Sequence, residues 1–276
     1  MRAQVRGVGL EYSVHGRGEP LLLVHGALLA DGLAPLLAEP ALQAYQKIVV
    51  HRRGFARSDH TALPVAVAEH AADCLALLEH LSIESAHVAG HSLGALIALE
   101  MACAQPVRVR SLGLIEPSNM ADAPSTPQVL EAAAPVLQTY QAGDKGRAVH
   151  MFLEFVGQIG PRYQDVIEKA LPAGALAQAV EDADTFFQSD LPGFAGYKLA
   201  PETARAIHQP AVVLAGAASY PVFQECGQAV LSRLPQARRH EVAGTTHLMQ
   251  VMSPRPVAEA LGSLFSAHPL SPPPGL

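Results

Sequence analysis

Two hydrophobic rhythms alternate along the chain from its start to about Glu116. Val5–Val8 and Leu10–Val14 alternate apolar with polar positions around Gly9, which predicts an N-terminal hairpin. Leu21–Val24 and Ile48–Val50 are continuous apolar runs, the pattern of strands covered on both faces in a parallel sheet. Between them, Leu33–Tyr45 reads as a helix interrupted near Pro35 and Pro40. Val65–Leu81 repeats at helical spacing, with Glu69, Asp73 and Glu79 at polar positions. A strand-like run, Glu84–Val88, leads into good helix formers over Ala95–Ala102, and Val109–Ile115 is a further buried strand ending at Glu116-Pro117. Strands alternating with helices predict a doubly wound, mostly parallel sheet.

After Pro117 the rhythm changes. Residues 118–208 carry Pro124, Pro127, Pro135, Pro161, Pro172, Pro192 and Pro201 between helical stretches such as Gly146–Gln158 and Tyr163–Leu171, without a buried strand. This predicts a helical cap over 118–208 inserted into a core made of 1–117 and 209–268. The core resumes with strands at Ala211–Leu214 and Arg239–Val242 and closes with a helix over Pro256–Ser266. Residues 269–276 form a proline-rich tail expected to fray.

Composition narrows the function classes. At 276 residues and 49% hydrophobic, the chain suits one large α/β domain with an insertion. A net charge of −6 with scattered Lys and Arg offers no basic field, so nucleic acid is not an expected partner. No apolar run is long enough to span a membrane, and Met1–Arg6 enters a strand pattern directly without the apolar core of a signal peptide; a cytoplasmic location and no membrane partner are expected. Cys74, Cys103 and Cys226 are odd in number and far apart, which predicts buried free thiols. The 13 histidines lack metal-site spacing, so no metal and no cofactor are expected. The Arg52-Arg53 and Arg57 loop is expected to hold neighbouring loops together.

The chemistry centres on Gly90-His91-Ser92-Leu93-Gly94, placed between a strand and a helix. A turn this tight needs both glycines and lifts the Ser92 hydroxyl above the sheet at a helix N-terminus. A serine hydroxyl is a weak nucleophile at neutral pH and needs a base within reach. His247, in the loop after the last predicted strand, lies at the same carboxyl edge of the sheet and is the candidate base. His91 is expected to pack beside the nucleophile. Backbone donors for an oxyanion are expected from Leu93, just after the nucleophile, and from Ala27, just after His25-Gly26.

Val24-His25-Gly26-Ala27, Arg53-Gly54-Phe55-Ala56-Arg57-Ser58, the Ser92 elbow and Gly244-Thr245-Thr246-His247 together resemble the α/β-hydrolase superfamily, in its order and spacing, over about residues 5–116 and 209–266. The resemblance implies a mostly parallel eight-stranded sheet flanked by helices, with a cap over the site. The chain departs from the usual pattern at the triad acid. Most members place it in a Gly-x-x-Asp arrangement after the next-to-last strand, where this sequence reads Gly216-Ala217-Ala218-Ser219. Glu116 is the candidate replacement, because its strand should neighbour the nucleophile strand at about 4.8 Å; Asp122 and Glu225 are the alternatives. Lactonases that open zearalenone are similar in Leu114-Ile115-Glu116-Pro117 and in lacking the acid after Gly216. The resemblance therefore implies a Ser-His-Glu hydrolase of esters or lactones acting through an acyl-enzyme. A ligand-binding or signalling protein on this fold and a carbon-carbon bond-cleaving relative are the rivals. Aromatic residues concentrated in the cap, Phe152 and Phe187 among them, predict an apolar pocket, with His25 and Gly26 completing the expected substrate contacts. The expected partner is a hydrophobic small molecule, with a homodimer left open.

Overall fold

The computed structural model describes residues 1–61 and 64–270, so the expected tail lies outside the described residues from 271 onward. The chain enters its sheet through a hairpin, β1 (Arg2–Val5) and β2 (Val8–His15), with Val5 opposite Val8. The turn is Arg6-Gly7, at φ 49° and 78°, the left-handed pair of a two-residue hairpin turn. This corrects the expectation of a break at Gly9. Gly9 lies inside β2, where a Cβ would stand 2.4 Å from the Arg2 guanidinium.

β3 (Glu19–Val24), β4 (Tyr45–Val50), β5 (Ala86–His91), β6 (Val109–Ile115), β7 (Ala211–Gly216) and β8 (Ala237–Val242) complete an eight-stranded sheet in the order β1-β2-β4-β3-β5-β6-β7-β8. Every pair from β4–β3 to β7–β8 is parallel. The carboxyl ends of six strands therefore converge on one edge. The interrupted helix expected over Leu33–Tyr45 is instead two 3-10 turns, Ala34–Ala38 and Pro40–Leu42, and Tyr45 already belongs to β4. Pro40 supplies no N–H and holds Glu39 extended at ψ 131°, which prevents a continuous α-helix.

α1 (Val67–His80) and α2 (Leu93–Ala104) cover one face of the sheet. The connection between β6 and β7 holds α3 (Thr126–Gln141), α4 (Lys145–Gly157), α5 (Arg162–Ala170), α6 (Ala175–Glu181), one π-helical turn (Thr185–Asp190), α7 (Leu191–Phe194) and α8 (Pro201–Ala204). α9 (Pro221–Arg233), α10 (Met249–Met252) and α11 (Pro254–Ala267) follow. Strand alternation sorts the core: Leu22, Val24, Val88 and Leu114 join α1 and α2, whereas Leu21, Leu23, Ala89 and Ile115 join α11. A third apolar cluster unites the inserted helices with Phe223 of α9 and with Leu28 and Leu248 on the loops at the carboxyl edge. Among the described residues no helix is long and apolar enough to cross a membrane.

Candidate active site

Ser92 stands between β5 and α2 at φ 55° and ψ −117°, a strained conformation for a residue with a Cβ that costs on the order of 1–3 kcal/mol. The surrounding backbone is too close for anything but glycine on either side. A Cβ at Gly90 would lie 2.0 Å from the Gly94 carbonyl oxygen, and one at Gly94 2.1 Å from that of Val24. The sheet ladder extends into the turn, with the Ser92 amide donating to the Ile115 carbonyl at 2.9 Å.

Glu116, the next residue after Ile115, continues the same ladder by donating its amide to Leu214 at 3.0 Å. Its φ of 45° turns the side chain back over the sheet edge, where it is 1% exposed. One carboxylate oxygen, Oε2, accepts from His247 Nδ1 at 2.6 Å. The other, Oε1, accepts from the Gly216 amide at 2.7 Å and from Ser219 Oγ at 2.5 Å. Ser219, at the position where the family usually carries its acid, thus donates to Glu116. With the Nδ1 proton directed at the carboxylate, Nε2 of a neutral His247 holds the free lone pair. Ser219→Ala removes one of the two donors to Oε1 and leaves the Gly216 amide. It is expected to cost about 1 kcal/mol, roughly fivefold in kcat/KM for an ester substrate.

His247 is held on three further sides. Phe223 of α9 stacks on its ring at 3.8 Å between centroids and 11° between planes. His91 donates from Nε2 to the His247 carbonyl at 2.8 Å, a tautomer consistent with Gln250 Nε2 donating to His91 Nδ1 at 3.3 Å. Burial, and then the neighbouring His247, push the His91 pKa well below the usual imidazole range, so His91 is a neutral brace. Thr246 Oγ1 donates to the Gly157 carbonyl at the end of α4, tying the loop to the inserted helices.

The Leu93 amide opens α2, where the first N–H groups have no partner within the helix and the helix dipole favours negative charge. The Ala27 amide gives no hydrogen bond among the described residues. Its direction is set from behind, because the Gly26 carbonyl accepts from Arg52 Nη2 at 2.9 Å and from His25 Nδ1 at 2.8 Å. In a trans peptide the N–H points opposite to the carbonyl, so these two bonds aim the Ala27 N–H away from Arg52. His25 is otherwise occupied as an acceptor from the Arg52 amide at 3.0 Å. It lines neither cavity at Ser92, which corrects its expected role as a substrate contact: both ring nitrogens are spent on the loop backbone.

Arg52 also pairs with Asp190 of the π-helical turn at 2.8 Å, beside His70, with both ion-pair partners buried. Burial raises the Asp190 carboxyl, but the charges and hydrogen bonds of Arg52 and His70 together outweigh it and leave the carboxyl below its ordinary range. Arg53 pairs with Asp73, and Arg57 with Glu11. The arginine loop binds neighbouring elements, as its sequence position suggests.

The other carboxylates weighed for the acid are engaged elsewhere. Asp122 accepts from Arg233, Asn119 and the Leu199 amide, and Glu225 accepts from the amide and hydroxyl of Ser125 before α3. A cavity of about 460 Å³ opens above Ser92 and His247, walled by Val129, Val136, Phe152, Phe155, Phe186, Phe187 and Leu191 of the inserted helices. Phe152 and Phe187 therefore line this cavity. Gly26 lines a second, smaller space beside Ser92. Phe223, Ser219 and Gln250 were not singled out by sequence. The loop Gly216–Tyr220 drew attention only through its missing acid, and nothing local to Gln250 marks it.

A nucleophile elbow, a histidine after the last strand and a carboxylate at the sheet edge, on this strand order, define the α/β-hydrolase fold. A family model described as alpha/beta hydrolase fold matches residues 15–150. The chain has the α/β-hydrolase fold, and just under half of it matches that family model. It is 36% identical over 113 residues to the "Putative carbamate hydrolase RutD" of Azorhizobium caulinodans, a match covering 41% of this chain and 43% of that protein, so it spans less than half of that relative. The protein of the same name from Pseudomonas syringae pv. syringae is 26% identical over 88% of this chain and 90% of its own. Among solved structures, the enol-lactonase from Burkholderia xenovorans LB400 superposes with a TM-score of 0.75 at 19% identity, covering 96% of this chain and 100% of that one. The narrower similarity to zearalenone lactonases rests on the sequence motifs alone.

Proposed function

We propose that the protein is a serine hydrolase that cleaves an ester or lactone of a hydrophobic small molecule through an acyl-enzyme on Ser92. The observation that supports this most is the 2.6 Å contact between His247 Nδ1 and Glu116 Oε2, which leaves Nε2 free at the cavity shared with Ser92. His247 takes the Ser92 proton as Oγ attacks the carbonyl carbon. The Ala27 and Leu93 amides hold the oxyanion, and the imidazolium, stabilised by Glu116, then protonates the departing alcohol. Water releases the acyl group by the reverse proton path.

The substrate class is argued from the cavity wall, which is built of Val, Leu, Ala, Met and Phe side chains with few polar atoms. Leu130 and Leu137 of α3, 57% and 38% exposed, continue that apolar lining out to solvent. Two of the similar proteins, named as a carbamate hydrolase and an enol-lactonase, share attack on a carbonyl that bears a heteroatom. The test is a series of p-nitrophenyl esters from acetyl to decanoyl, together with hydrophobic lactones. kcat/KM is expected to rise up to roughly fourfold per methylene until the cavity is full, from about 0.8 kcal/mol for each buried CH₂. Absence of turnover on every ester and lactone would overturn the reading.

A further inference from the structure

Beside Ser92, and distinct from the large apolar cavity, lies a cavity of about 20 Å³, above the roughly 10–15 Å³ that one water requires. Ala27, Ser92, Phe152, Val156 and His247 border both spaces, whereas His91, Leu153 and Gln250 border only the small one. Gln250 is 1% exposed, and its Oε1 is a buried acceptor without a partner among the described residues. An unpaired buried carbonyl oxygen is costly, and its amide cannot rotate to escape because Nε2 is committed to His91. A small polar ligand with donor hydrogens relieves it.

We infer that this cavity is a built site for the hydrolytic water, held by Gln250 Oε1 beside His247. The inference rests on the acyl-enzyme reading above. In the step that breaks the acyl-enzyme, the water oxygen bonds to the acyl carbonyl carbon. One of its protons goes to His247 Nε2 and the other stays hydrogen-bonded to Gln250 Oε1. The tetrahedral adduct then collapses with loss of Ser92 Oγ, which takes the proton back from His247 and leaves the free acid. Placing the water outside the acyl cavity suits a lactone in particular. The alcohol freed from a lactone stays tethered to the acyl group and re-closes the ring unless water is already positioned at the carbonyl. A held water has the advantage of an oriented reactant over one that must diffuse past the tethered chain.

The test separates acylation from deacylation by stopped-flow release of nitrophenolate from p-nitrophenyl butyrate. Gln250→Met keeps side-chain bulk but removes both the Oε1 acceptor and the Nε2 donor to His91, so it is read together with a second variant that spares that bond. It is expected to leave the burst rate within about threefold of wild type and to lower the steady-state rate about 30-fold, with a burst near one product per active site. Leu153→Phe, which fills the small cavity from α4 and leaves the Gln250–His91 bond in place, is expected to give the same pattern. The burst amplitude counts folded sites, so a misfolded variant is not mistaken for a slow one. Equal losses in both phases, or an unchanged steady-state rate in both variants, would overturn the water site while leaving the hydrolase reading intact. A wild-type protein that releases no nitrophenolate would overturn both.

Discussion

Ser92→Ala is expected to lower ester turnover by about six orders of magnitude, to a rate set by binding and the oxyanion donors alone. The size of the loss follows from the arrangement at the elbow. Ser92 Oγ has no hydrogen-bond partner among the described residues and lies at a shared wall of both cavities, so its loss removes the attacking atom and nothing that supports the fold. The turn itself is held by the Ser92 amide on Ile115 and by the glycines on either side, which the substitution leaves in place. The expected result is therefore an inactive protein that melts within a few degrees of wild type and still takes up a hydrophobic ester. Steady-state kinetics, thermal melting and equilibrium binding check the three parts.

Glu116→Gln is expected to reduce kcat by about four orders of magnitude, the scale set when a triad acid is replaced by its amide. The Gly216 amide and the Ser219 hydroxyl both donate to Oε1, so the carbonyl end of the new amide is drawn to that side. Its NH₂ group then faces His247 Nδ1, where wild type has an acceptor at 2.6 Å. A donor there favours the tautomer with the proton on Nε2, which cannot take the Ser92 proton. The volume is unchanged and the two supporting donors stay satisfied, so melting is expected to shift far less than turnover. Rate and melting temperature measured on the same preparation separate the tautomer effect from unfolding.

Much of this arrangement is legible in the residues, for reasons that are local. Continuous apolar runs such as Leu21–Val24 are readable as central parallel strands because both faces are buried, and β3 indeed divides its side chains between two helical layers. Ser92 is readable because the elbow demands glycine at fixed offsets, and His247 because it follows the last strand of the core. Glu116 is readable by position but not by conformation: no residue pattern announces its φ of 45°. The break at Arg6-Gly7 was masked by Gly9, which serves side-chain clearance and not the turn. α9 escaped notice because Gly227 and Gln residues dilute its apolar stripe, although Pro221 at its start marks a helix N-terminus. The π-helical turn and the Arg52–Asp190 pair join segments 138 positions apart, beyond the reach of any periodicity. Gln250 gains its meaning only from a cavity formed by four separate loops and helices.

The most direct test of the central claim, a Ser92 nucleophile driven by His247 and a displaced Glu116, is the rate at which a fluorophosphonate labels the protein, read by intact mass and peptide mapping. In wild type one adduct is expected, on Ser92, and in Glu116→Gln the labelling rate is expected to fall by about three to four orders of magnitude. An adduct on another residue, or equal labelling rates in the two proteins, would contradict it.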